Sequence, residues 1–213
     1  CTEHEGASGA MSKDDVYEEL NAPDAIAVVG MAGRFPGAEG VEALWRNVRA
    51  GKVSISRFSD EELEDDFSPE VRASKEYVKA RSVLENADKF DAAFFGMYPR
   101  EAALTDPQHR LSLGTSWQVL EDAGDHPAAY QGSIGVFAGA SMSTYFLRNV
   151  VSDREAVLNF TSNNQVGSYA EALGAMPDFL STRVAYKLDL RGPAINVSTA
   201  CSTSLLAIAQ AVQ

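Results

Sequence analysis

Three short apolar runs punctuate an otherwise amphipathic chain. Residues 25–30 read Ala-Ile-Ala-Val-Val-Gly, residues 134–139 read Ile-Gly-Val-Phe-Ala-Gly, and residues 194–197 read Ala-Ile-Asn-Val. Runs of this length bounded by glycine or proline predict strands buried on both faces. Helical periodicity fills much of the space between them. Over 41–50, Val41, Leu44, Trp45 and Val48 share one face, with Gly51 placed to end the helix. From about Thr105 a longer helix is predicted, with Pro107 in its first turn, where proline is tolerated. Its broad apolar face carries Leu111, Leu113, Trp117, Val119 and Leu120, and Gly124 closes it. Further helices are predicted near 177–186 and over 205–212. Strands alternating with helices predict an α/β class with a mostly parallel sheet. Trp45 and Trp117, at helical spacing with other apolar residues, are predicted to be core.

The intervening segments are less regular. Residues 52–89 are charged and aperiodic and read as a surface insertion, whereas Phe90, Phe94 and Phe95 form an aromatic anchor ahead of Pro99. Residues 1–10 read as a disordered tail, with Met11 a candidate native start. Ser12 then caps a short helix over 12–20, with Asp15 at its third position, and Pro23 stops it. The predicted organisation is therefore a tail and linker or docking helix over 1–23, followed by a folded unit over 24–213.

Composition removes several function classes. With 30 acidic and 18 basic residues the formal net charge is −12, which disfavours nucleic acid or an anionic membrane as partner. Clusters of acid at 14–19 and 60–66 read as solvated faces. No run approaches the roughly 20 apolar residues of a membrane span, and no secretory leader is evident. The two cysteines, Cys1 and Cys201, stand at opposite ends of the chain, so a reducing cytoplasm is the expected setting. No His/Cys/Asp cluster has metal-ligand spacing. Gly30, Gly33 and Gly37 do not match the dinucleotide fingerprint, and Pro36 blocks direct entry into a helix.

The candidate chemistry lies at Cys201. It sits between the extended run 194–197 and the apolar helix 205–212, in the sequence Thr-Ala-Cys-Ser-Thr-Ser. Helix N-termini carry unpaired N–H groups and partial positive charge, and cysteines placed there are commonly activated as thiolates. The alternative reading is a small buried hydrophobe, the usual fate of a free cysteine.

Several motifs in a fixed order carry a resemblance. They begin with Ile26-Ala27-Val28-Val29-Gly30-Met31-Ala32-Gly33-Arg34-Phe35-Pro36-Gly37 and Phe90-Asp91-Ala92-Ala93-Phe94-Phe95-Gly96-Met97-Tyr98-Pro99-Arg100-Glu101-Ala102. Thr105-Asp106-Pro107-Gln108-His109-Arg110-Leu111 follows, then Leu120-Glu121-Asp122-Ala123-Gly124, the stretch 178–193, and Thr199-Ala200-Cys201-Ser202-Thr203-Ser204. From about Asp24 onward the chain resembles the N-terminal part of a β-ketoacyl synthase (ketosynthase) domain of a modular type I polyketide synthase. The resemblance implies a thiolase-like fold, layered α/β/α/β/α when complete, of which this chain carries an incomplete first half. It implies that Cys201 accepts an acyl chain, with its own backbone N–H as an oxyanion donor, and that decarboxylative condensation with a malonyl-type thioester follows. Substrates then arrive on the phosphopantetheine of an acyl carrier protein, with no cofactor bound directly. A neighbouring acyltransferase domain and a homodimer formed through the strand before Cys201 are the other implied partners. Met142 matches a position lining the acyl channel; alternatively it fills core space after a buried strand.

The departure from the family pattern is downstream. The family's two histidines lie beyond the cysteine, in His-Gly-Thr and Asn-Ile-Gly-His motifs, whereas this sequence stops about a dozen residues after Cys201. His4, His109 and His126 are expected to be tail, packing or surface residues. A piece holding the nucleophile alone is expected to be inactive. Asp106 and Arg110 are placed for an i,i+4 pair. Three alternatives stay open: a discrete fatty-acid β-ketoacyl synthase, a non-elongating acyl-transfer ketosynthase, and a non-catalytic docking fragment. Chain-length factors, which lack the cysteine, are disfavoured.

Overall fold

In chain order the backbone forms α1 (Val41–Arg49), β1 (Ile55–Arg57), α2 (Pro69–Ala73), β2 (Ala80–Ser82), α3 (Pro99–Leu104) and α4 (Pro107–Ala123). There follow β3 (Val136–Ala138), α5 (Arg154–Asn163), α6 (Tyr169–Ala175), α7 (Leu180–Lys187), β4 (Ala194–Asn196) and α8 (Thr203–Val212). This computed structural model describes residues 25–63, 68–163 and 169–213, so the helix predicted over 12–20 lies outside the described residues.

Helix α4 is specified at both ends by local chemistry. The Asp106 carboxylate accepts from the Gln108 N–H (2.8 Å), Pro107 occupies the first turn, and Gly124 ends the helix at φ +75°. Leu113, fully buried on its inner face, meets Val184 of α7 and Leu188, which caps that helix, in a core that also holds Met97 and Ala102. The aromatic anchor closes this core. Phe90 stacks on Phe95 (5.3 Å between ring centroids), and Phe94 sits edge-on to Trp117 (5.0 Å).

Strands β3 and β4 pair in parallel, Val136 opposite Ala194 and Ala138 opposite Asn196, as the α/β reading requires. Helix α7 packs on both strands, and α8 packs on β3. Side chains alternate across a strand. Val136 accordingly joins the core beneath α7, while Phe137 faces an open cavity shared with Ala207 and Ile208 of α8. The result is a helix–sheet–helix stack. Helix α7 is locked to β4 by Ser181, whose N–H donates to Asn196 Oδ1 (3.0 Å). The Ser181 hydroxyl lies 2.7 Å from Asn196 Oδ1 and 2.9 Å from the Ile195 carbonyl, and Asn196 Nδ2 donates in turn to the Asp178 carbonyl. Ser181 is fully buried, so these bonds satisfy a polar group that water does not reach.

Several expectations are corrected. Residues 25–30 do not form a strand; Ile26, Val28 and Val29 are 64, 77 and 69% exposed. A strand needs a hydrogen-bonding neighbour, and among the described residues none pairs with this run. Just after the run, the Met31 N–H donates to Asp122 Oδ2 (2.8 Å). Trp45 is likewise 62% exposed rather than core, because amphipathicity fixes which face of α1 is apolar but not what covers it. Segment 52–89 does lie at the surface, yet it contains an antiparallel β1–β2 pair with α2 between. The Asp106–Arg110 pair does not form. The Asp106 carboxylate is turned along the helix axis to cap it, and Arg110 reaches the Asp88 carbonyl (3.3 Å) instead.

Two features yield predictions. His109 is 2% exposed in the first turn of α4. Its pKa is lowered to about 4, first by burial and then by the Arg183 guanidinium, with Asp106 partly opposing. The unfolded chain therefore binds this proton before the folded one does. Stability is full above the ordinary histidine value of 6.5 and falls as pH drops from there toward about 4, by up to about 3 kcal/mol. Urea-unfolding midpoints across this range should show the loss in the parent protein, and His109→Gln should flatten it. Gly139 provides the second prediction. A Cβ there would lie 2.2 Å from the Val197 carbonyl oxygen and 2.4 Å from Thr203 Cγ2. Gly139→Ala should destabilise by about 1–3 kcal/mol, read as a lowered melting temperature.

Candidate active site

The thiol is delivered by the end of β4. The Val197 N–H donates to the Ala138 carbonyl (2.8 Å), continuing the ladder one residue past the strand. At Ala200 the backbone adopts φ +52°, and a single 3₁₀ turn over Ala200–Ser202 leads into α8. A left-handed conformation in a residue with a side chain costs roughly 1–2 kcal/mol, and such strain gathers at functional sites.

The hydroxyl residues around Cys201 explain how the turn is held. Thr203 Oγ1 accepts from the Thr199 N–H (3.0 Å) and donates to the Ala200 carbonyl (2.9 Å). Ser202 Oγ donates to the Thr199 carbonyl (2.9 Å). Short hydroxyl side chains compete readily for nearby backbone groups, which suits a turn that is neither strand nor helix. Cys201, on its outer side, is exposed and forms no disulfide among the described residues.

Cys201 borders an open trough of about 1130 Å³. One wall is α8, through Ala207, Ile208 and Ala211; the other runs along Phe137 and the loop 139–142. Small residues on both sides (Gly139, Ala140, Ala207, Ala211) keep the trough wide. Met142 lies on this wall and is 91% exposed. The two residues singled out from the sequence, 59 positions apart, thus border one cavity. The two histidines among the described residues do not join them. His109 is buried in α4, and His126 is exposed, edge-on to Trp117 at 6.0 Å. Among the described residues no group of three His, Cys, Asp or Glu side chains is arranged to hold a metal.

Sequence reasoning misses two contributors. Ala200 carries no sequence signal for a left-handed backbone, which glycine or asparagine would have given. Gln108 contacts the trough loop through its side-chain amide, which bonds both backbone groups of Ser141. Its position after Asp106-Pro107 signals a helix start but not a contact 33 residues away.

This arrangement coincides with a known family. Residues 23–213 match the profile of the beta-ketoacyl synthase N-terminal domain. The chain is 47% identical over 186 residues to a phenolphthiocerol/phthiocerol polyketide synthase polypeptide of Mycobacterium tuberculosis, covering 87% of this chain and 12% of that protein. It is 43% identical over 196 residues to pikromycin polyketide synthase component PikAII of Streptomyces venezuelae, spanning 5% of it. A solved ketosynthase from module 1 of the bacillaene synthase of Bacillus amyloliquefaciens superimposes with a TM-score of 0.70 at 34% identity. That match covers 86% of this chain and 31% of the other. Ketosynthase twelve of the bacillaene synthase gives a TM-score of 0.73 at 32% identity, covering 89% and 32%. The fold is accordingly the N-terminal part of the thiolase-like ketosynthase architecture, and the chain belongs to the β-ketoacyl synthase family.

Proposed function

We propose that this chain provides the nucleophilic part of a polyketide condensing enzyme, with Cys201 as the acyl-accepting residue. The observation that carries the reading is an exposed cysteine on a strained, hydroxyl-held turn at the edge of a trough with apolar walls. The Cys201 thiolate attacks the carbonyl of an acyl thioester, and the bond to the phosphopantetheine sulfur breaks. The released carrier thiolate takes up a proton, and the acyl chain remains on Sγ. The backbone N–H of Cys201 is the proposed donor to the transient oxyanion, a contribution typically worth on the order of 2.7–4 kcal/mol. A malonyl-type thioester then loses CO2, and its carbanion attacks the acyl–cysteine carbonyl and releases the thiolate. Dividing the condensation at a covalent intermediate replaces one difficult step by two easier ones.

The relatives' names support polyketide assembly over discrete fatty-acid synthesis. Carrier protein and acyltransferase domain are the proposed partners, the cytoplasm the proposed location, and no directly bound cofactor is invoked. Decarboxylation is assigned to histidines outside this chain, because His109 and His126 do not border the trough. We assign Met142 to the acyl channel. We assign the outer edge of β4, unpaired among the described residues, to pairing with a second copy across a dimer.

In the full-length polypeptide, a short-chain acyl thioester should label the Cys201 peptide, read by peptide mass. Cys201→Ala should abolish that label at unchanged melting temperature, and persistent labelling at the same peptide would refute the assignment. Addition of malonyl carrier protein should yield a product two carbons longer; release of unextended acyl groups alone would indicate transfer without elongation. Met142→Trp should slow acylation by medium-length thioesters roughly tenfold relative to acetyl, a change in barrier of about 1.4 kcal/mol.

A further inference from the structure

A side chain of α4 bonds the backbone of the trough wall opposite α8. Gln108 Nε2 donates to the Ser141 carbonyl (2.9 Å), and Gln108 Oε1 accepts from the Ser141 N–H (3.1 Å). A primary amide paired in both directions with one residue reproduces the two-bond exchange of neighbouring antiparallel strands. Ser141 stands between Ala140 and Met142, and all three border the trough beside Cys201.

Gln108 is itself firmly placed. Its own N–H is held by the buried Asp106 carboxylate, and Pro107 precedes it in the first turn of α4. A second tether lies just beyond the loop, where the Tyr145 hydroxyl donates to the Ala103 carbonyl (2.7 Å) and the Arg110 guanidinium lies over the Tyr145 ring (5.7 Å). Within the loop 139–142 itself, Gln108 is the side chain that fastens a trough-lining residue to α4. The facing wall is part of α8, packed on β3. The position of the 139–142 loop therefore sets the width of the trough next to the thiol.

We propose that Gln108 is a positioning residue that sets which acyl chains Cys201 accepts, by clamping the backbone of Ser141. The proposal rests on the reading of Cys201 as the acyl acceptor. It depends on the amide as such. Glutamate keeps the acceptor but cannot donate to the Ser141 carbonyl, and methionine keeps the length while making neither bond.

The test uses the full-length polypeptide with acetyl and octanoyl N-acetylcysteamine thioesters. Acylation rate constants at Cys201 are read by intact mass, with iodoacetamide alkylation of the same cysteine in parallel. Gln108→Met should change the octanoyl-to-acetyl ratio roughly tenfold, the order expected for loss of about one net hydrogen bond, while alkylation stays within about twofold. A smaller folded fraction lowers both acylation rates together and leaves the ratio unmoved, so a general loss of structure does not imitate the effect. Gln108→Glu should shift the ratio in the same sense and serves if the methionine variant is insoluble. Hydrogen exchange of the Ser141 amide should quicken in either variant. An unchanged ratio with intact Cys201 acylation, or unchanged Ser141 exchange, would overturn the role of Gln108 and leave the nucleophile standing. Alkylation of Cys201 without any acylation in the parent protein would overturn the nucleophile reading, and the proposal with it.

Discussion

The thiol end of this structure depends on how closely two backbones pass each other at Gly139. There is no room for a side chain between that residue, the Val197 carbonyl and the Thr203 methyl. The contact joins the end of β3, the exit from β4 and the first residue of α8 at a single point. Close-packed interiors transmit displacement instead of absorbing it. Moving any one of the three would therefore move the turn at Ala200, whose left-handed backbone has little freedom of its own.

Behind that contact the sheet is supported by polar groups as much as by apolar packing. Ser181 and Asn196 tie α7 to β4, while Glu101 of α3 faces both Arg183 (3.7 Å) and Lys187 (3.5 Å) of α7. Arg183 also donates to the Leu173 carbonyl (2.9 Å), linking α7 to α6. Such networks are demanding, since a buried group deprived of its partner is destabilising by more than the pair contributes when made. They also fix orientation in a way that apolar contacts do not.

What can be read from the sequence divides along the range of the interaction involved. Helix α4 is legible because its apolar face, Pro107 and Gly124 specify it within its own length, although the capping role of Asp106 is not read from the sequence. Strands β3 and β4 are legible because their apolar runs have partners in this chain. Residues 25–30 and Trp45 mislead for the opposite reason: burial depends on a neighbour that periodicity does not identify. Helices α3, α5 and α6 escape prediction, since short or mixed-polarity segments offer weak periodicity. At the candidate site, Cys201 and Met142 stand out through local motifs. The strain at Ala200 and the Gln108 clamp are tertiary facts with no local signature.

The turn bearing the thiol is self-contained in its side-chain bonding. The hydroxyls of Thr199, Ser202 and Thr203 bond within residues 199–203, whereas the trough wall is fastened by Gln108 from elsewhere in the chain. The turn that carries Cys201 and the wall of the trough are thus held by separate parts of the sequence. On the proposed reading of Cys201 as acyl acceptor, wall positions other than Gly139 can change what the trough accommodates without altering the hydroxyl bonds that hold the turn. A scaffold divided in this way is suited to being copied many times and retuned copy by copy.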